Sequence, residues 1–190
     1  MAISFVTALF NSVAKKIIAA EFDTDKFGFG NFEIDVDGKL VRKLPVKLAV
    51  TPSVDTSAYA AGDVLFDTTA IASAFSNTNA SGFIVGARLL VKSDVAFGAR
   101  IILMNANTSI GTFNAAPDPT DTEGEDQGHD FVLNQSGQVD MGAYRIMDAH
   151  GLYVPVYPVS GGTTIYVAAV VTEGTPTLAA SSCILTLDIV

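Results

Sequence analysis

Three features of this sequence predict an all-β fold, a β-sandwich with jelly-roll-like connections, preceded by a short N-terminal amphipathic helix and a hairpin arm. The last third, Leu152 to Val190, is a series of β-branched and aromatic runs broken at Ser160–Gly162 and at Glu173–Pro176. Turn residues recurring every eight to twelve positions, as here, are the signature of short antiparallel strands. Hydrophobic residues make up 49% of the 190 and charged residues only 16%, enough to bury a large core. From residue 45 onward about eight apolar runs follow one another, sufficient for two packed sheets.

The elements follow in order. Ile3, Val6, Phe10, Val13 and Ile17 recur at alternating spacings of three and four, one apolar stripe along a helix over 2–20, which Leu9 and Ile18 widen. A helix this short is marginal alone and must pack on something, either its own domain or a partner. Residues 22–50 read as a hairpin: Phe32, Ile34 and Val36 alternate with Glu33 and Asp35, Asp37–Gly38 suits a type I′ turn, and Lys39 to Val50 returns. Pro45 marks an edge or a kink in that return. Lys39, Arg42, Lys43 and Lys47 form a small basic patch there, either a charged edge that resists aggregation or a contact with a neighbouring subunit. This divides the chain into a helix-plus-hairpin arm (1–47), suited to docking and assembly, and a sandwich body (48–190).

In the body, the turn-rich 51–63 leads into Val64–Phe66, and Phe83–Val91 and Ala99–Met104 are long apolar runs with imperfect alternation. Such runs fit strands buried on both faces or packed inside an assembly. Residues 105–130 have no period; 131–133 and 143–147 are weaker strand candidates. The run Cys183–Val190 places the C-terminal residues inside a sheet.

Chemistry is sparse. The net charge is −9, which argues against sequence-independent nucleic-acid binding. No run approaches the roughly 18 apolar residues of a bilayer span. The first ten residues lack the basic segment of a secretory signal, with Lys15 and Lys16 following the apolar part. The single Cys183, within an apolar strand, reads as a buried small hydrophobe and suits a reducing compartment. Asp118, Asp121, Glu123, Glu125, Asp126 and Asp130 crowd one loop, but not with EF-hand spacing, and read as solvated rather than as a cation cage. Asp23, Asp25, Asp35 and Asp37 are a weaker cation candidate. His129 and His150 read as lying in Gly-flanked loops with no zinc spacing, and no nucleophile elbow is present. The expectation is a non-enzyme with no catalytic, cofactor-binding or metal residues.

Several short segments carry a resemblance. Val50–Val64 (VTPSVDTSAYAAGDV), Leu103–Asn107 (LMNAN), Gly162–Tyr166 (GTTIY) and Val170–Ala179 (VVTEGTPTLA) resemble, in order and spacing, segments of small β-rich structural proteins of tailed bacteriophages. The resemblance covers roughly residues 48–190 and leaves 1–47 outside. It implies a virion component at the capsid surface, made in the host cytoplasm, without catalytic residues. The reading that results is a capsid decoration or cement protein whose partners are the major capsid protein and further copies of itself, a trimer being one option. Interface candidates are Val6, Phe10, Val13 and Ile17 on the helix and Arg42 and Lys43 on the hairpin. A tail, neck or baseplate component and a receptor- or glycan-binding module are the alternatives. The latter would require Tyr144, Tyr153 or Tyr157 to be exposed rather than in the core.

Overall fold

The computed structural model describes residues 32–34, 40–42, 45–78 and 80–190. The expected helix over 2–20 and the Asp37–Gly38 turn lie outside these residues. The chain divides into two compact units, residues 1–44 with Val190, and residues 45–189.

In the first unit, β1 (Phe32–Ile34) and β2 (Leu40–Arg42) pair antiparallel, with Phe32 opposite Arg42 and Ile34 opposite Leu40.

The second unit holds β3 (Val46–Val50), β4 (Val64–Ile71), β5 (Gly82–Val91), β6 (Gly98–Met104), β7 (Gln127–Leu133), β8 (Gln138–Asp140), β9 (Arg145–Val156), β10 (Ile165–Glu173) and β11 (Cys183–Ile189). One sheet has the order β4-β10-β6-β7, the other β3-β11-β5-β9-β8. Every pairing is antiparallel. With the short β8 set aside and the rest counted one to eight along the chain, the sheets read 1-8-3-6 and 2-7-4-5. That order is the jelly-roll winding, in which the chain passes back and forth between two sheets. β3 belongs to this sandwich, paired with β11 through Leu48 opposite Leu187.

Alternation explains the core. In β11, Cys183, Leu185, Leu187 and Ile189 are buried while Ile184, Thr186 and Asp188 are only partly so. These four meet Ile84, Leu89 and Val91 of β5 in the same cluster as Leu65, Ile101, Leu103, Phe131, Val167 and Val171 from the other sheet. β6 and β10 do not alternate because both their faces are buried. Val64, Ile102, Met104 and Ala168 form a second cluster with Ile110, which lies in the segment after β6. That segment returns across the outer face of the four-stranded sheet. The Val64 N–H donates to the Ala115 carbonyl at 2.8 Å, and the Asn114 N–H donates to the Val64 carbonyl at 3.0 Å. The period-free stretch 105–118 is therefore a lid on its own sheet, and part of the apolar excess is buried within the chain.

Two further expectations change. The acidic loop contains a one-turn helix, α1 (Asp121–Glu125), and β7 begins directly after it, placing His129 in a strand. Thr120 caps α1 by a reciprocal capping box with Glu123. The segments near 143–147 and 152–157 form one twelve-residue strand, β9, so His150 is also in a strand. Gly151 absorbs the irregularity at φ +69, where the β5–β9 register shifts.

Candidate interaction surface

Two of the segments quoted above for their resemblance, 50–64 and 170–179, meet at one end of the sandwich, while 103–107 and 162–166 adjoin where Tyr166 pairs with Met104. The Tyr59 N–H donates to the Pro176 carbonyl at 2.9 Å, and Ala58 forms a β-bridge with Thr177. The Gly62 N–H donates to the Val171 carbonyl and the Val171 N–H to the Asp63 carbonyl. Tyr59 is 1% exposed; its hydroxyl accepts from the Asp55 N–H at 2.6 Å and lies 3.1 Å from the Leu65 carbonyl, to which it donates. Burial pushes the Tyr59 hydroxyl pKa up to about 12. The Asp55 carboxylate accepts from the Ser57 N–H and the Asn114 side-chain amide, and backbone hydrogen bonding at Thr56, the largest cause, lowers its pKa. These residues hold connections together and present no reactive group.

The acidic stretch is likewise engaged locally. The Glu123 carboxylate accepts from the Thr120 N–H at 2.7 Å, which lowers its pKa, and Asp130 pairs with Arg100. A cleft of about 480 Å³ beside α1 is lined by Asp67, Ser109, Phe113, Asp118 and Glu123 among others. Its Asp67 accepts from the Ile110 N–H at 2.8 Å and from the Ser109 hydroxyl at 2.7 Å, tethering the lid segment. Among the described residues, no three His, Cys, Asp or Glu side chains converge as a metal cluster. Cys183 is buried, and burial raises its thiol pKa to about 12. Asp23, Asp25, Asp35 and Asp37 lie outside the described residues.

The two outer faces of the sandwich differ. The lid segment covers the four-stranded sheet, whereas the outer face of the five-stranded sheet has no comparable buried cluster among the described residues. Its side chains follow from the register. Phe83 of β5 stands opposite Pro155 of β9. Val154 and Val156 point into the core, so Tyr153, Pro155 and Tyr157 point out, as alternation requires. Tyr153 is 72% exposed, Tyr157 54% and Phe83 47%. Side chains directly or diagonally opposite across a strand pair are within reach of one another, so the four residues make one uncharged patch.

Charged rows follow along the same face. Asp188 of β11 lies between Lys47 and Gly86, and Gly86 is opposite His150. A Cβ on Gly86 would come within 3.0 Å of the Asp188 carboxylate, so the glycine leaves room for that side chain. The next row is Ala49, Thr186, Arg88 and Asp148. Arg88 Nε donates to Asp148 Oδ1 at 2.7 Å, the first cause of its raised pKa. Beyond it run Ile184, Leu90, Ile146 and Val139, the last 52% exposed.

Of the interface residues expected from sequence, Val6, Phe10, Val13, Ile17 and Lys43 lie outside the described residues. Arg42 ends β2 opposite Phe32. Tyr153 and Tyr157 fill the exposed role required of the glycan-binding alternative, while Tyr144 is half-buried. Sequence reasoning missed Phe83. Its signal was the alternation Phe83, Val85 against Ile84, obscured by the apolar character of both faces.

No family model and no curated protein matches this sequence. Among solved structures, the chain has a weak similarity to the structure of infectious bursal disease virus Gx strain, at 18% identity over 82% of this chain and 36% of that one, with a TM-score of 0.22. The infectious bursal disease virus VP2 subviral particle is similar at 14% identity over 83% of this chain and 44% of that chain, with a TM-score of 0.15. The chain thus spans less than half the length of these viral proteins. TM-scores this low carry no weight for fold or role; the jelly-roll assignment rests on strand order alone.

Proposed function

We propose that this chain is a structural virion protein of the capsid decoration or cement kind, seated on a lattice of major capsid protein at the capsid surface of a bacteriophage. The observation that supports this reading best is the exposed, uncharged aromatic patch on the outer face of the five-stranded sheet. Tyrosine and phenylalanine, with charge excluded, are the composition of a protein-interface core. The jelly roll hosts many roles, capsid and lectin domains among them, so the fold adds an analogy and the patch supplies the physical argument. In the cleft beside α1, Asp67 and Ser109 tether the lid and Glu123 caps the helix, which favours a structural use of these groups. Many weak contacts repeated over a lattice give high occupancy without one strong site.

The test is co-sedimentation of the purified chain, full-length and lacking residues 1–22, with phage heads stripped of accessory proteins. Saturable binding at a lattice-defined copy number is the expected result. Replacing Phe10 and Val13 by Asp should abolish binding while the body stays folded, if the arm engages the lattice. Binding by neither form would move the assignment to a tail, neck or baseplate component. A second reading, glycan recognition, draws on the exposed rings of Tyr153 and Tyr157. Saturable glycan-array binding lost on replacing both by Ser would favour it.

A further inference from the structure

We infer that the outer face of the five-stranded sheet is a self-association surface, with Phe83, Tyr153, Pro155 and Tyr157 as its apolar core and a second copy of this chain as its occupant. This rests on reading the chain as an assembly protein and names the surface by which copies would meet.

Three observations select a second copy. First, the chain carries a net charge of −9, so copies repel one another over most of their surface. The patch contains no ionisable group that is charged at neutral pH, and contact there avoids that repulsion. Second, the adjoining rows carry both signs, Lys47 beside Asp188 and Arg88 beside Asp148. A two-fold axis through such a face brings the cations of one copy toward the carboxylates of the other, which an isologous interface requires. A basic partner would instead select a face of one sign. Third, the size fits. Three aromatic side chains exposed by 72%, 54% and 47% offer on the order of 400 Å² of largely apolar surface. That is the core of an interface of roughly 800 Å² per partner once the charged rows form its rim. It lies within the range of the largest apolar patch on a typical monomer, which is often a functional surface.

The experiment is sedimentation velocity on the full chain over a concentration series up to about 100 µM, beside the Tyr153→Ser/Tyr157→Ser double variant. Both tyrosines are exposed, so the variant should fold, and its far-UV spectrum and melting curve verify this. The expected result is reversible dimerisation of the unaltered chain, weakened about tenfold or more in the variant. A second variant, Arg88→Glu, should weaken dimerisation, and Arg88→Glu with Asp148→Arg should restore part of it. A chain that stays monomeric throughout the series overturns the inference. So does association that the tyrosine variant leaves unchanged, or a patch that retains only a glycan. The failure of this inference is separable from failure of the virion reading. Head binding by a chain that is monomeric in solution rejects the contact alone, whereas dimerisation without head binding rejects the capsid-decoration role alone.

Discussion

Tyr59 and Cys183 illustrate how single side chains tie this fold to pH. Both are nearly inaccessible to water, and burial disfavours their anions, raising each pKa to about 12 from ordinary values of 10.0 and 9.0. A group held neutral by the native state contributes stability that is complete below its unfolded pKa and is lost as pH rises toward the native one. Stability should therefore be level through neutral pH and fall between about pH 9 and 12; urea titrations at stepped pH read this directly. Tyr59→Phe should remove the tyrosine share of that alkaline loss. It should also cost about 1–3 kcal/mol at neutral pH, since the Asp55 N–H and the Leu65 carbonyl lose a shared partner. An unchanged urea midpoint for Tyr59→Phe would show that these bonds are not part of the stability of the end. By contrast, the exposed Arg88–Asp148 pair should contribute at most about 1 kcal/mol to folding, which leaves it free to serve a contact.

At the level of elements, the lid segment after β6 is the feature that most changes how the composition is read. Ile110 is fully buried against Val64, Ile102, Met104 and Ala168, and hydrogen bonds to Val64, Asp67, Thr68 and Asp55 anchor the segment further. Ile110→Ala should destabilise by about 2–4 kcal/mol, through lost burial and the cavity left behind. Protease cleavage should rise within 105–118 before the rest of the body. Equal protection of mutant and parent there would mean that the lid is held by its backbone bonds alone. The β10–β11 connection is fixed differently. Gly174 has φ +82, and a Cβ there would lie 2.6 Å from the Ala96 carbonyl. Gly174→Ala is expected to lower the melting temperature through both backbone strain and that clash, whereas Gly124→Ala, in open space on α1, should not lower it.

For the whole molecule, the division at residue 45 gives a direct test. A chain beginning at Pro45 retains every strand of both sandwich sheets and should unfold in one cooperative transition, measured by circular dichroism. A broad, non-cooperative melt would mean that residues 1–44 are needed to complete the body. The fold class was legible in the chain because alternation in segments such as Cys183–Ile189 reflects a one-sided burial that any sandwich imposes. The acidic loop was legible as a crowd of carboxylates, but its capping box and the strand that follows were not separated from it. The outward patch was legible only in part, since Tyr153 and Tyr157 were candidates for exposure whose residue type is more often core. Phe83 lies in a run where both alternate sets are apolar. By itself, then, the sequence determined the all-β class, the approximate strands and the turns between them, since these follow from local periodicity and backbone preference. Only the tertiary structure decided which face of each strand is covered, because the lid packs on one sheet through contacts between residues more than forty positions apart, such as Ile110 with Val64, while Phe83, Tyr153 and Tyr157 of the other sheet stay exposed.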